Sequence, residues 1–156
     1  MKEKQGEHPF GDTGQIIAFI VFMIIWVSDS FFLNYSTALT AYIPLYARSI
    51  AAFIILAVSL YLLNGSHKVV AGEHRPEKVI ADGVFGHLRH PLYMSAVLFY
   101  LALVVFTLSI ISFALWLAIF IFYNYIASYE EKLLEAKFGE EYILYRQKTG
   151  KWLPKL

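Results

Sequence analysis

Leu92-YMSAVLFYLALVVFTLSIISFALWLAIFIFYNYIA-Ser128 runs for 37 residues without one Asp, Glu, Lys or Arg. Runs of about 18 or more apolar residues read as membrane spans. As a single helix this stretch would reach roughly 55 Å, against a hydrocarbon core of about 30 Å. It must therefore fold back, and Thr107, Ser109 and Ser112 mark the expected turn of a helical hairpin. Upstream, Ile16–Leu33 and Ile43–Leu63 carry one charge each, Asp29 and Arg48. Four spans follow, near 16–33, 43–63, 92–108 and 112–128. Pro44 and Pro91 stand where the second and third helices would begin, the helical position that tolerates proline best. An open sheet would leave edges that lipid cannot satisfy, and the alternating polarity of a barrel is absent.

The composition agrees. Of the 156 residues, 58% are hydrophobic and 16% charged, whereas soluble domains carry about 25% charged residues. The first apolar run is longer than a signal-peptide core, and no small-residue cleavage site follows it, so it reads as a span. The expectation is one all-α integral membrane domain over residues 1–156, with a C-terminal hairpin and a polar tail. With four spans, both termini and the central loop share a side. That side carries Lys2, Lys4, Lys68, Arg75, Lys78, Arg89, Lys132, Lys137, Arg146, Lys148, Lys151 and Lys155, which is all of the 13 basic residues except Arg48. The bias of basic residues toward the cytoplasm makes that face cytoplasmic, and with it both termini and any site there. The absence of cysteine excludes disulfides, thiolate nucleophiles and Cys-ligated metals. A net charge of +1 gives no case for nucleic-acid binding.

Nearly all remaining polar chemistry lies in two segments on that face, residues 64–91 and 129–156, with residues 1–14 reading as a loose arm. Each segment abuts one arm of the hairpin, so a site is expected where they meet. Tyr129–Phe138 continues the last span as a helix, with Gly139 as a C-cap. At 100° per residue Glu130 falls between Leu133 and Leu134 on the apolar face, and Glu131 falls on the wetter flank with Glu135. An inward carboxylate there needs a partner. Asp29 and Arg48, near the opposite interface, are expected to pair structurally across the first two helices.

The segment Gly83-VFGHLRHPL-Tyr93 holds a glycine turn and then Arg89-His90-Pro91-x-Tyr93 at the mouth of the third helix. Free N–H groups at a helix start point at anions. Arg89 and His90 add donors, and Tyr93 adds a ring and a hydroxyl. The place suits a ligand bearing a carboxylate and an aromatic base. The same residue types also serve as interfacial anchors, and the residues alone favour that plainer reading. His87-x-x-His90 with Glu130 and Glu131 has too few histidines around it for a membrane di-iron centre, so no metal is expected.

The order Arg89-His90-Pro91-x-Tyr93, apolar hairpin, Glu130-Glu131-x-x-Leu134-x-x-x-Phe138-Gly139-x-x-Tyr142-x-x-Tyr145, Trp152-Leu153-Pro154 resembles the isoprenylcysteine carboxyl methyltransferase and phospholipid methyltransferase superfamily. The resemblance covers about residues 64–156. It implies transfer of a methyl group from S-adenosylmethionine to a lipophilic acceptor, a lipid amine, carboxylate or thiol, entering from the bilayer. It implies a cofactor site built from residues 77–93 and 129–154, with Val79, Ile80, Phe85, Arg89, His90, Pro91, Tyr93 and Glu130 around the cofactor. Positioning falls to His90, Tyr93 and Glu130, and no residue is singled out as a general base. Two positions depart from the isoprenylcysteine branch. Asn124-Tyr-Ile-Ala127 stands where that branch has an arginine, and Glu77 stands where the family has a histidine; both count against a prenylcysteine acceptor. The alternatives are an NADPH-dependent sterol or steroid reductase, which shares a similar Arg-His-Pro-x-Tyr, and a non-enzymatic membrane scaffold. No glycine-rich fingerprint follows a strand, so a Rossmann-type cofactor site is not expected.

Overall fold

The computed structural model describes residues 11–70 and 78–155. The N-terminal arm up to Phe10, and Arg75 and Glu77 in the central loop, lie outside the described residues. Five α-helices account for most of the rest: α1 (Gly11–Val27), α2 (Leu45–Val70), α3 (Pro91–Thr107), α4 (Ile110–Phe138) and α5 (Glu140–Lys148). A short π-helical turn, Ser28–Leu33, extends α1, and 3-10 turns cover Ala38–Ala41 and Gly83–Gly86. Among the described residues the extended pairing is a single bridge between Leu88 and Gly150, so the all-α expectation holds. Gly11–Gly14, expected in the loose arm, are already helical.

Among the described residues three helical segments are long and apolar enough to cross a bilayer: Gly11–Leu33, Leu45–His67 and Ile110–Phe138, with mean hydropathies over an 18-residue stretch of 2.4, 1.9 and 2.0. The remaining expected span, near 92–108, falls on the shorter apolar helix α3, of 17 residues, about 25 Å long. The outward faces are apolar: Ile16, Ile24, Phe53, Ile54 and Ile121 are all exposed. A water-soluble monomer does not leave such continuous apolar surface uncovered.

The hairpin turns where the sequence places it. Leu108 takes a left-handed conformation (φ 51°), and Ser109 caps α4 by accepting the Ser112 N–H at 3.0 Å. Asp29 locks this turn. Its carboxylate accepts from the Ser36 N–H and from the Ser36 and Ser109 hydroxyls. The expected Asp29–Arg48 pair is thus not formed. The serine hydroxyls of the hairpin turn reach Asp29 first and satisfy it without a second charge. Arg48 forms no ion pair among the described residues.

Small residues set the interhelical distances. Ala52, Ser59 and Ser66 recur every seventh position of α2 and are all buried. They let α3 approach closely, and the Ser59 hydroxyl donates to the Ser95 carbonyl at 2.7 Å. A Cβ on Gly65 would stand 2.6 Å from Val84 Cγ1, so glycine there admits the 3-10 turn that leads into α3. On the other side of α3, Phe22 and Trp26 of α1 pack with Val97, Tyr100 and Val104 and with Ile119 and Tyr123 of α4. The Trp26 indole N–H is satisfied by Thr107 Oγ1 at 3.0 Å and Leu103 O at 3.1 Å. These contacts fix the middle of α3 against α1 and the apolar part of α4.

Candidate active site

The site begins with proline chemistry. His90 (φ −124°, ψ 59°) stands outside the helical region ahead of Pro91, which occupies the first turn of α3, so the chain turns into the helix at His90. Both His90 and Pro91 are buried. Opposite them α4 continues past its apolar part into Glu130 and Glu131.

Two adjacent residues on a helix point about 100° apart, and here they straddle the line of α3. Glu131 receives Arg89 Nε at 2.8 Å and His90 Nε2 at 3.2 Å. Glu130 accepts the Tyr93 hydroxyl, and its other oxygen stands 3.9 Å from His90 Nδ1. Glu131 therefore does not face solvent, contrary to the helical-wheel expectation. Its side chain is 13% exposed, slightly less than the 16% of Glu130. The wheel ranks positions by hydrophobic neighbours on one helix, whereas an arginine and a histidine from α3 decide this face.

The electrostatics follow from that pairing. Burial works against ionisation of Glu131, but hydrogen bonds from His90 and Arg89 and the guanidinium charge outweigh it and hold the carboxyl at about 2. Burial lowers the His90 pKa, helped by Arg89 and Lys151, and the pull of Glu131 does not reverse it. At neutral pH His90 is thus an uncharged imidazole. Donation from Nε2 to Glu131 leaves the Nδ1 lone pair on the Glu130 side. Its ring stacks on Tyr93 at 5.7 Å and lies 6.2 Å from Trp152.

The tail straps the two segments together. Arg89 N–H donates to Gly150 O at 2.9 Å, and Gly150 N–H to His87 O at 3.3 Å. Arg89 Nη1 donates to Thr149 O at 2.6 Å and to Arg146 O at 3.3 Å. The Tyr145 hydroxyl donates to Phe85 O at 2.7 Å, and the Val79 N–H to Glu141 Oε1 at 3.0 Å. Trp152 Nε1 donates to Asn124 Oδ1 at 3.0 Å. Asn124 thus anchors the tail on α4.

Between strap and hairpin lies a cavity of about 130 Å³, opening into a groove and lined by Lys78, Val79, Ile80, Phe85, Arg89, Leu134, Phe138, Tyr142 and Tyr145. The eight expected cofactor residues fall into two adjoining groups. Val79, Ile80, Phe85 and Arg89 line the cavity; His90, Pro91, Tyr93 and Glu130 gather at the carboxylate cluster. Arg89 belongs to both. Arg89 and His90, expected as donors to a ligand anion, already hold the chain's own Glu131. The Tyr142 hydroxyl, which sequence reasoning assigned no role, is buried and lacks a hydrogen-bond partner. The Tyr142-x-x-Tyr145 spacing put it on the same helix face as Tyr145, but its orphaned state depends on how α5 docks. Among the described residues no group of His, Asp and Glu stands close enough to hold a metal ion.

Long apolar helices with charged chemistry gathered at the ends of α3 and α4 define a membrane-embedded protein. The family model described as phospholipid methyltransferase matches residues 47–141. The match takes in α2, α3, α4 and all eight expected site residues, and the chain belongs to this family of membrane methyltransferases. No curated protein matches the chain.

Proposed function

We propose that the protein transfers a methyl group from S-adenosylmethionine to a lipid-borne acceptor that enters sideways from the bilayer. The observation that carries this reading is the cavity lined by Phe85, Phe138, Tyr142 and Tyr145, with an orphaned buried hydroxyl on its wall. The aromatic lining suits a purine and a sulfonium, and the unpaired Tyr142 hydroxyl suits a polar group of the ligand. The residues present therefore fit the cofactor. Val79, Ile80, Phe85, Tyr142 and Tyr145 would hold it, with Arg89, His90, Pro91, Tyr93 and Glu130 as the adjoining wall. When bound, the cofactor supplies an electrophilic methyl sulfonium.

What remains for the chain is placement and dryness. The Arg89–Glu131 pair fixes α3 against α4, and Tyr93 and Glu130 hold each other on the hairpin side. The strap from Tyr142 to Trp152 covers the cavity. The neutral His90 imidazole donates from Nε2 to Glu131, which fixes its ring beside Tyr93. A carboxylate acceptor needs no base; an amine or thiol needs only loss of a proton before attack.

The acceptor is a lipid amine, a carboxylate or a thiol, and membership of the phospholipid methyltransferase family supports a phospholipid as the molecule that carries it. Four spans with both termini and the site on the cytoplasmic face complete the reading, with α3 as the short span. The test is methyl transfer from radiolabelled S-adenosylmethionine into total membrane lipid, with identification of the product. Labelled lipid made by the wild type and not by Tyr142→Ala supports the proposal. Binding of NADPH but not of S-adenosylhomocysteine would replace it with a reductase.

A further inference from the structure

A second cavity, of about 260 Å³, lies at the other end of the bundle. Its walls include Arg48, Ser30 and Thr37, and the exposed apolar side chains of Phe31 and Leu45 line it as well. It also touches Thr107, the last residue of α3, whereas the carboxylate cluster sits at the first turn of that helix. The two places are therefore about 24 Å apart.

Two polar groups here are unmatched. Arg48 Nε and Ser30 Oγ are both buried without a hydrogen-bond partner. Asp29, the neighbour of Ser30, is already satisfied by Ser36 and Ser109. A buried guanidinium N–H without an acceptor is costly, and a guanidinium fork matches phosphate oxygens in geometry and charge. Three tyrosines at this end, Tyr35, Tyr42 and Tyr46, are 84%, 83% and 70% exposed. Exposed tyrosines at the ends of membrane spans and in the loops that join them collect at headgroup depth. The cation therefore sits at the level of lipid phosphates, beside apolar side chains along which acyl chains can lie.

We propose that this cavity binds the phosphate of a net-anionic phospholipid, from the leaflet at the end away from the methyltransfer site. Arg48 grips the phosphate oxygens, Ser30 donates a hydroxyl hydrogen bond, and the acyl chains run past Phe31 and Leu45. The site is separate from the methyl-donor cavity, so it stands whether or not the proposed reaction is correct.

The test is native mass spectrometry of the full-length protein, released from non-ionic detergent with equal amounts of phosphatidylglycerol and phosphatidylcholine of the same chains. Phosphatidylglycerol is expected to be retained in preference. Arg48→Gln is expected to weaken its retention about tenfold, with Arg48→Lys in between. Millimolar inorganic phosphate is expected not to displace the lipid. Equal retention of both lipids by the wild type overturns the proposal, as does undiminished retention by Arg48→Gln. Displacement by inorganic phosphate also overturns it, since the site would then bind a free ion. Leu45→p-benzoylphenylalanine leaves Arg48 in place and reads the same cavity if the glutamine variant does not fold. It is expected to cross-link phosphatidylglycerol over phosphatidylcholine, and equal yields would overturn the proposal.

Discussion

Replacing Glu131 by glutamine removes one negative charge from between Arg89 and His90 while barely changing shape. Two bonds depend on that charge, at 2.8 Å and 3.2 Å. Hydrogen bonds to charged groups contribute about 1.5–3 kcal/mol, and breaking a fully buried ion pair costs about 3–5 kcal/mol. Here the pair is 10% and 13% exposed, Arg89 keeps the Thr149 and Arg146 carbonyls, and the glutamine oxygen still accepts one bond. The expected loss of stability is therefore about 2–3 kcal/mol, below that of full rupture. Glu130→Gln is the matched control. The Tyr93 hydroxyl can still donate to the amide oxygen, so its cost is expected to stay below about 1 kcal/mol. Reversible unfolding in mixed micelles at pH 7, followed by tryptophan fluorescence, measures both. A Glu130 variant as destabilised as the Glu131 variant would refute the assignment of Glu131 as the internal anchor.

Tyr142→Phe removes a hydroxyl that has no partner, so stability is expected to hold or rise slightly. S-Adenosylhomocysteine affinity by titration calorimetry should fall about threefold to tenfold, and an unchanged affinity removes Tyr142 from the proposed site. The midpoint of thermal unfolding should fall as pH drops below 6.5. His90 is held below that value when folded, so the unfolded chain takes up a proton first and gains stability. His90→Gln should flatten that fall, and an identical pH profile in the variant counts against a buried neutral imidazole. A further decline between about 4.5 and about 2 belongs to Glu131, whose folded carboxyl resists protonation. Gly150→Ala would put a Cβ 1.5 Å from the Leu153 carbonyl oxygen, so the strap must shift. Trypsin should then cut after Lys148 or Lys151 at least tenfold faster, and an unaltered cleavage rate would show that the strap tolerates the change.

The span pattern was legible because it is a one-dimensional property. Thirty-seven uncharged residues exceed what one helix can place in a bilayer, so the hairpin follows from length alone, and Ser109 supplies the cap that closes it. Helix starts at Pro44 and Pro91 and the stop at Gly139 were readable for the same reason, since proline and glycine act on their own backbone. The Arg89-His90-Pro91-x-Tyr93 and Glu130–Glu131 segments could be marked as the polar ends of adjacent helices, and the tertiary structure brings them together. Which carboxylate faces which cation was not readable. A helical wheel knows only its own helix, and Glu131 is chosen by Arg89 and His90 across a gap spanned by more than 40 residues of chain. The same holds for Asp29. Its partners Ser36 and Ser109 come from a loop and a hairpin turn, while the arginine that looked complementary in sequence is left beside a cavity. The orphaned hydroxyl of Tyr142 is the clearest case. A tyrosine is satisfied or unsatisfied only relative to every group that folding brings within 3.5 Å, and that is fixed by how α5 docks on the loop before α3 rather than by any residue of α5 itself.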